Sequence, residues 1–123
     1  MYQLTVLTEF AAAHQLRLAG RKCENLHGHN WKVEVQVEGE DLDEAGVLMD
    51  FGVIKQHVRE LMKILDHTFL NENPALGTDL PPSSENIARW IGTRMEERLA
   101  GEPVRLRRVK AWESDDACAA WLP

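Results

Sequence analysis

The chain has 123 residues, which is enough for one hydrophobic core and too few for two, so a single domain over 1–123 is expected. Apolar residues make up 44% and charged residues 28%, an ordinary globular balance that excludes disordered or fibrous architectures. A net charge of -6 excludes nucleic acid as the main partner, because phosphate contacts need a basic surface, while leaving room for a small anion bound locally.

The N-terminal stretch MYQLTVLTEF carries neither a basic leader nor a long apolar run, so no membrane contact is expected and the cytoplasm is the expected compartment. The even positions Tyr2, Leu4, Val6, Thr8, Phe10, Ala12 and His14 predict a half-buried strand, although Leu7 and the alanines weaken the contrast. After a loop over 15–28, Trp31, Val33, Val35 and Val37 alternate cleanly with Lys32, Glu34, Gln36 and Glu38 until Gly39. The two strands are expected to pair antiparallel.

The acidic turn EDLDEAG leads through VLMDF into a helix whose apolar positions are Phe51, Ile54, Val58, Leu61 and Leu65, with Asp50 as N-cap. From Asp66 to Pro82 the chain is rich in Asn, Pro and Gly and reads as an irregular loop. A second helix follows, capped by Ser83 or Ser84, with a buried stripe of Ile87, Trp90, Ile91, Met95 and Leu99 and a glycine past its end. VRLRRVKAWE then alternates with a one-residue slip at Arg107 and Arg108, where a bulge would restore phase, and CAAWL forms a short last strand. Its cations suit a strand's solvated face, with phosphate contact as the alternative.

The order ββααββ predicts an α+β domain, a four-stranded antiparallel sheet with two helices packed on one face. Such a sheet leaves edges exposed, so a homo-oligomer is expected.

His27 and His29 share a strand face about 6.7 Å apart along the backbone, and His14 shares the inward parity of Phe10 and Ala12. With that face turned inward, three imidazoles converge at one end of the core. Three neutral imidazoles suit a catalytic Zn²⁺ that keeps a position open, and Cys23 could supply a fourth ligand instead. The plainer alternative is a core His14 beside a His-Gly-His turn. Only two cysteines, Cys23 and Cys118, are too sparse for a disulfide framework. Near a metal, a histidine and Lys22, the Cys23 thiol would be acidified into a base or nucleophile; an inert loop cysteine is the alternative. Asp66 beside His67 can orient or charge an imidazole for proton transfer, or can be helix-ending polar residues only. Glu113 shares the inward parity of Val109 and Ala111, and a buried acid needs a cationic or guanidine-like partner; a solvated strand end is the alternative.

FAAAH, CENLHGH, MDF, LDHTFLN, SSENIA and VKAWES together resemble, in order and over nearly the whole chain, the motifs of the 6-pyruvoyl-tetrahydropterin synthase superfamily. Three residues between Cys23 and His27 resemble its bacterial, 6-carboxy-tetrahydropterin-forming branch. The resemblance implies the tunnelling fold, in which subunits join sheets into a barrel as trimers or hexamers with active sites between subunits. It implies His14, His27 and His29 as zinc ligands, Cys23 as catalytic acid or base, Asp66 with His67 as its partner dyad, and Glu113 as the carboxylate gripping a pterin. The implied reaction turns 7,8-dihydroneopterin triphosphate into 6-carboxy-5,6,7,8-tetrahydropterin with loss of acetaldehyde and triphosphate, on the route to queuosine. Animal-type pyruvoyl formation, folate-branch cleavage of dihydroneopterin, and a non-catalytic pterin- or metal-binding module are the alternatives. Glu24 and Trp121 depart from the branch's pattern.

Overall fold

A computed structural model of the chain describes residues 1–17 and 26–123. Strand β1 (Tyr2–His14) and strand β2 (His27–Gly39) run antiparallel in unbroken register, from Tyr2 opposite Gly39 to His14 opposite His27. The alternation in β2 sets its faces: Trp31, Val33, Val35 and Val37 are fully buried, while Lys32 points to solvent. The second strand therefore begins four residues before the alternation becomes apolar, which places both its histidines inside regular sheet.

Helix α1 (Phe51–Leu65) starts where Asp50 accepts a hydrogen bond from the Gly52 N–H at 2.8 Å, as its sequence predicts. Its buried face is Ile54, Val58, Leu61, Met62 and Leu65. Phe51 departs from the expected stripe and is exposed, because the apolar cover at this end comes from Leu48 and Met49, buried just ahead of the cap. Helix α2 (Ser84–Leu99) is capped by Ser83, whose hydroxyl accepts from the Asn86 N–H, and its stripe of Ile87, Trp90, Ile91, Met95 and Leu99 is buried as read. Gly101, at φ +84°, turns the chain out of the helix in the left-handed conformation that glycine adopts without cost.

The sheet holds five strands rather than the expected four, in the order β3-β1-β2-β4-β5. Strand β3 is only Thr68–Phe69 and runs parallel to β1 along Ala12 and Ala13, inside the segment the sequence presents as a loop. Strand β4 (Arg105–Ser114) pairs antiparallel with β2, and β5 (Ala117–Trp121) pairs antiparallel with β4. Gln36 faces Arg108 and Val37 faces Leu106, so Arg107 is the extra residue of a bulge at the predicted slip. A second shift, between Trp112 opposite Cys118 and Ser114 opposite Ala117, leaves Glu113 without a cross-strand partner on β5. Both helices cover the face that carries the valines of β2. The cations of β4 mostly meet acids of β2: Arg105 bonds Glu38 at 2.9 Å, Arg107 lies 3.7 Å from Glu38, and Lys110 lies 3.7 Å from Glu34. That favours the solvated-face reading of this segment over phosphate contact. Among the described residues no helix is long and apolar enough to cross a membrane.

Candidate metal centre and active site

The register of β1 and β2 brings the three histidines together. His14 and His27 are direct cross-strand partners, His29 lies opposite Ala12, and the core-facing side of each strand carries the rings. Ring centroids lie 4.7 Å apart for His14 and His27, 5.1 Å for His14 and His29, and 4.3 Å for His27 and His29. Trp31, fully buried, sits edge-on to His14 at 5.0 Å and to His29 at 5.8 Å and stacks on Phe10, so the floor of the cluster is packed aromatic core.

Glu113 joins this cluster. One of its carboxylate oxygens lies 2.9 Å from His14 Nε2, 3.0 Å from His29 Nε2 and 3.5 Å from His27 Nε2. The ligand atoms of His14, His27, His29 and Glu113 all fall within 4.8 Å of one another. Glu113 shares the parity of the buried Val109 and Ala111, which turns its side chain to the site.

The protonation pattern tests whether these residues fit a cation. His14 Nδ1 donates to the buried Pro82 carbonyl at 2.7 Å, which leaves Nε2 as a lone pair in the neutral ring. That lone pair lies 2.9 Å from the Glu113 oxygen, two acceptors that need a proton or a cation between them, and 3.2 Å from His27 Nε2. His29 Nε2 is buried and, although near Glu113, is out of line for a hydrogen bond. Three imidazole nitrogens and a carboxylate oxygen fit a divalent transition metal with a tetrahedral preference, and the second nitrogen of His14 is oriented as metal-bound histidines are. Burial and then His27 lower the His29 imidazole below its ordinary value of 6.5, which favours the neutral, ligating form. Burial pushes the Glu113 carboxyl up, yet His14, His27 and His29 together outweigh it and hold it below 4.5.

Asp66 and His67 follow α1 directly. His67 Nδ1 lies 2.8 Å from one Asp66 oxygen, and the other accepts the Ala11 N–H at 2.8 Å. The Ala11 hydrogen bond, followed by that of His67, holds the Asp66 carboxyl below its ordinary 3.8. His67 is the one non-glycine residue at positive φ among those described, at 57°, and its N–H donates to the Ala11 carbonyl at 2.6 Å. Its side chain is 82% exposed. Residues 11–13, 28–30 and 67–69 line one open cleft of about 530 Å³, so a metal-cluster histidine, His29, and the dyad histidine border the same space. Cys23, Lys22 and Glu24 lie outside the described residues. Trp121 is half-buried and packs on α2, away from the histidines.

The model of the family described as 6-pyruvoyl tetrahydropterin synthase matches residues 3–122. The chain belongs to this family. Within it, the chain is 43% identical over 118 residues to 6-carboxy-5,6,7,8-tetrahydropterin synthase of Synechocystis sp., covering 92% of this chain and 87% of the relative. It is also 39% identical over 107 residues to dihydroneopterin monophosphate aldolase of Pyrococcus furiosus, covering 87% of this chain and 85% of that one. The fold matches that of Caenorhabditis elegans 6-pyruvoyl tetrahydropterin synthase with a TM-score of 0.86 at 21% identity, over 99% of this chain and 95% of the other. The expected tunnelling fold of the family is thereby the fold of this chain. A tetrahydropterin synthase family and a His/Glu cluster able to hold a metal together make the chain a lyase-type enzyme of pterin chemistry.

Proposed function

We propose that the chain is a cytoplasmic, zinc-dependent carbon–oxygen lyase that converts 7,8-dihydroneopterin triphosphate and one water to 6-carboxy-5,6,7,8-tetrahydropterin, acetaldehyde and triphosphate. Its product would enter the route to queuosine. The observation that carries this reading is the convergence of three imidazole nitrogens and the Glu113 oxygen within 4.8 Å, in a chain alignable over 92% of its length with a relative of that name.

His14, His27 and His29 would hold the zinc. When bound, zinc polarises the hydroxyls and keto group of the substrate side chain and makes neighbouring C–H bonds more acidic. Asp66, tied to the Ala11 N–H and held ionised, accepts from Nδ1 of His67 and so orients the ring, which leaves Nε2 as the atom that takes and returns a proton. Cys23 is assigned the matching proton transfer on the other side, by its place in the CENLHGH motif. Glu113 accepts hydrogen bonds from the amino-pyrimidine edge of the pterin, which fixes the ring relative to the metal. The enzyme is assigned as a homo-oligomer, a trimer or hexamer, with sites between subunits, because β3 and β5 leave both sheet borders available and His67 faces outward.

Product analysis after incubation with 7,8-dihydroneopterin triphosphate tests the assignment. Acetaldehyde with a carboxy product is expected, lost in His27→Ala and in Cys23→Ala. A pyruvoyl product would transfer the chain to the animal-type reaction. Pterin binding with no turnover would make it a non-catalytic module. The second reading, cleavage of dihydroneopterin to a hydroxymethyl product and glycolaldehyde, draws on the 39% identity to the Pyrococcus furiosus aldolase and on Glu24 beside Cys23. Release of glycolaldehyde would establish it.

A further inference from the structure

The last residue of β1 is His14, and the residue after it is held in an unusual way. Gln15 donates its backbone N–H to Asn71 Oδ1 at 2.8 Å, and its carbonyl accepts from Asn71 Nδ2 at 2.6 Å. One side-chain amide thus supplies both hydrogen bonds that a neighbouring strand would supply, just where the two-residue β3 has run out. At the other end of β3 the Asp66 carboxylate does the same for the Ala11 N–H. The segment also reaches the His14 ring, since Pro82 receives its Nδ1 proton. Backbone exit and ring of one imidazole are therefore both fixed by residues 66–82, more than fifty positions away in sequence.

We infer that Asn71 is a positioning residue for His14. It touches no ligand atom; it fixes the strand end from which the His14 side chain departs, so that Nε2 meets Nε2 of His27 and His29. A fully fixed ligand loses little freedom on binding a cation, whereas a frayed strand end must be ordered at the moment of binding. The inference rests on the three-histidine metal reading and concerns how tightly that site holds its ion.

The test is the affinity for Zn²⁺, by competition with a chromophoric chelator, and the visible spectrum of the Co²⁺-loaded protein. The parent, Asn71→Ala, Asn71→Asp and Asn73→Ala are compared. Asn73 is the control: it is buried in the same segment and bonds Ile64, Thr68 and Ala75, but it does not touch Gln15. Asn71→Ala is expected to bind Zn²⁺ about 10- to 100-fold more weakly, with a shifted Co²⁺ spectrum, as changes to groups that orient ligands do. Asn71→Asp, which keeps the acceptor, falls between, and Asn73→Ala binds as the parent does. Should Asn71→Ala fail to fold, Asn71→Asp carries the comparison. Parent-like affinity in the folded Asn71 variants, or an equal loss in Asn73→Ala, overturns the inference and leaves the metal reading standing. A parent that binds neither ion overturns the metal reading itself.

Discussion

Glu113 is the residue whose surroundings do most to refine its expected role. Its parity along β4 marks it as inward-facing, and the family resemblance gives it the proposed role of pterin anchor, but neither places an oxygen 2.9 Å from His14. If the three histidines hold the ion, the Glu113 carboxylate, 34% exposed, is left to meet the pterin edge. Glu113→Gln is expected to raise KM for the pterin about tenfold or more, the value of a hydrogen bond to a charged group, with bound metal unchanged. Metal analysis and steady-state kinetics on the same preparation check it; loss of the ion would make Glu113 a ligand instead. The three histidines themselves were legible, because strand parity and antiparallel pairing are enough to gather them. The tautomer of His14 was not, since it is set by a carbonyl 68 positions along the chain. Nor was the left-handed backbone of His67, which no local pattern announces.

At the scale of elements, amphipathic period and capping residues were sufficient for both helices, and a break in alternation was sufficient for the bulge at Arg107. Strand β3 escaped because two residues have no period, and because its ladder is completed by the side chains of Asp66 and Asn71. The packing of α2 on the last strand was equally hidden. Gly92 is buried under the Trp121 indole, and a Cβ at Gly92 would stand 2.2 Å from Cε3 and 2.5 Å from Cζ3 of that ring. Two effects oppose each other in Gly92→Ala. Helix propensity favours alanine by about 1 kcal/mol, whereas overpacking a filled contact costs about 1 to 3 kcal/mol. The large rigid indole cannot yield at its far end, so a net loss is expected, read as a lower urea midpoint with unchanged slope. A stabilised variant would mean that Trp121 is free to move aside. The departure at Trp121 noted in the sequence thus bears on packing.

For the whole molecule, the feature that matters is that the histidine cluster lies within the sheet while His67, 82% exposed, stands beside the edge strand β3. If subunits join at such edges, as the family fold implies, a site can draw its metal from one copy and its dyad from the next. His27→Ala and His67→Ala are each expected to be inactive alone. Refolded together from an equal mixture, they should regain activity at about a quarter of the sites by random pairing, whereas self-contained sites would regain none. Activity of the mixture, alongside its mass by light scattering, checks this. Finally, the pairing of His14 with His27 separates two tasks that the sequence interleaves. The spacing of the clustered imidazoles follows from register across two strands, not from the length of chain joining Gln15 to Leu26. Evolution can lengthen, shorten or rewrite that connection while the three imidazoles keep their places. A catalyst arranged in this way can acquire new chemistry by editing a dozen positions and leaving its scaffold untouched.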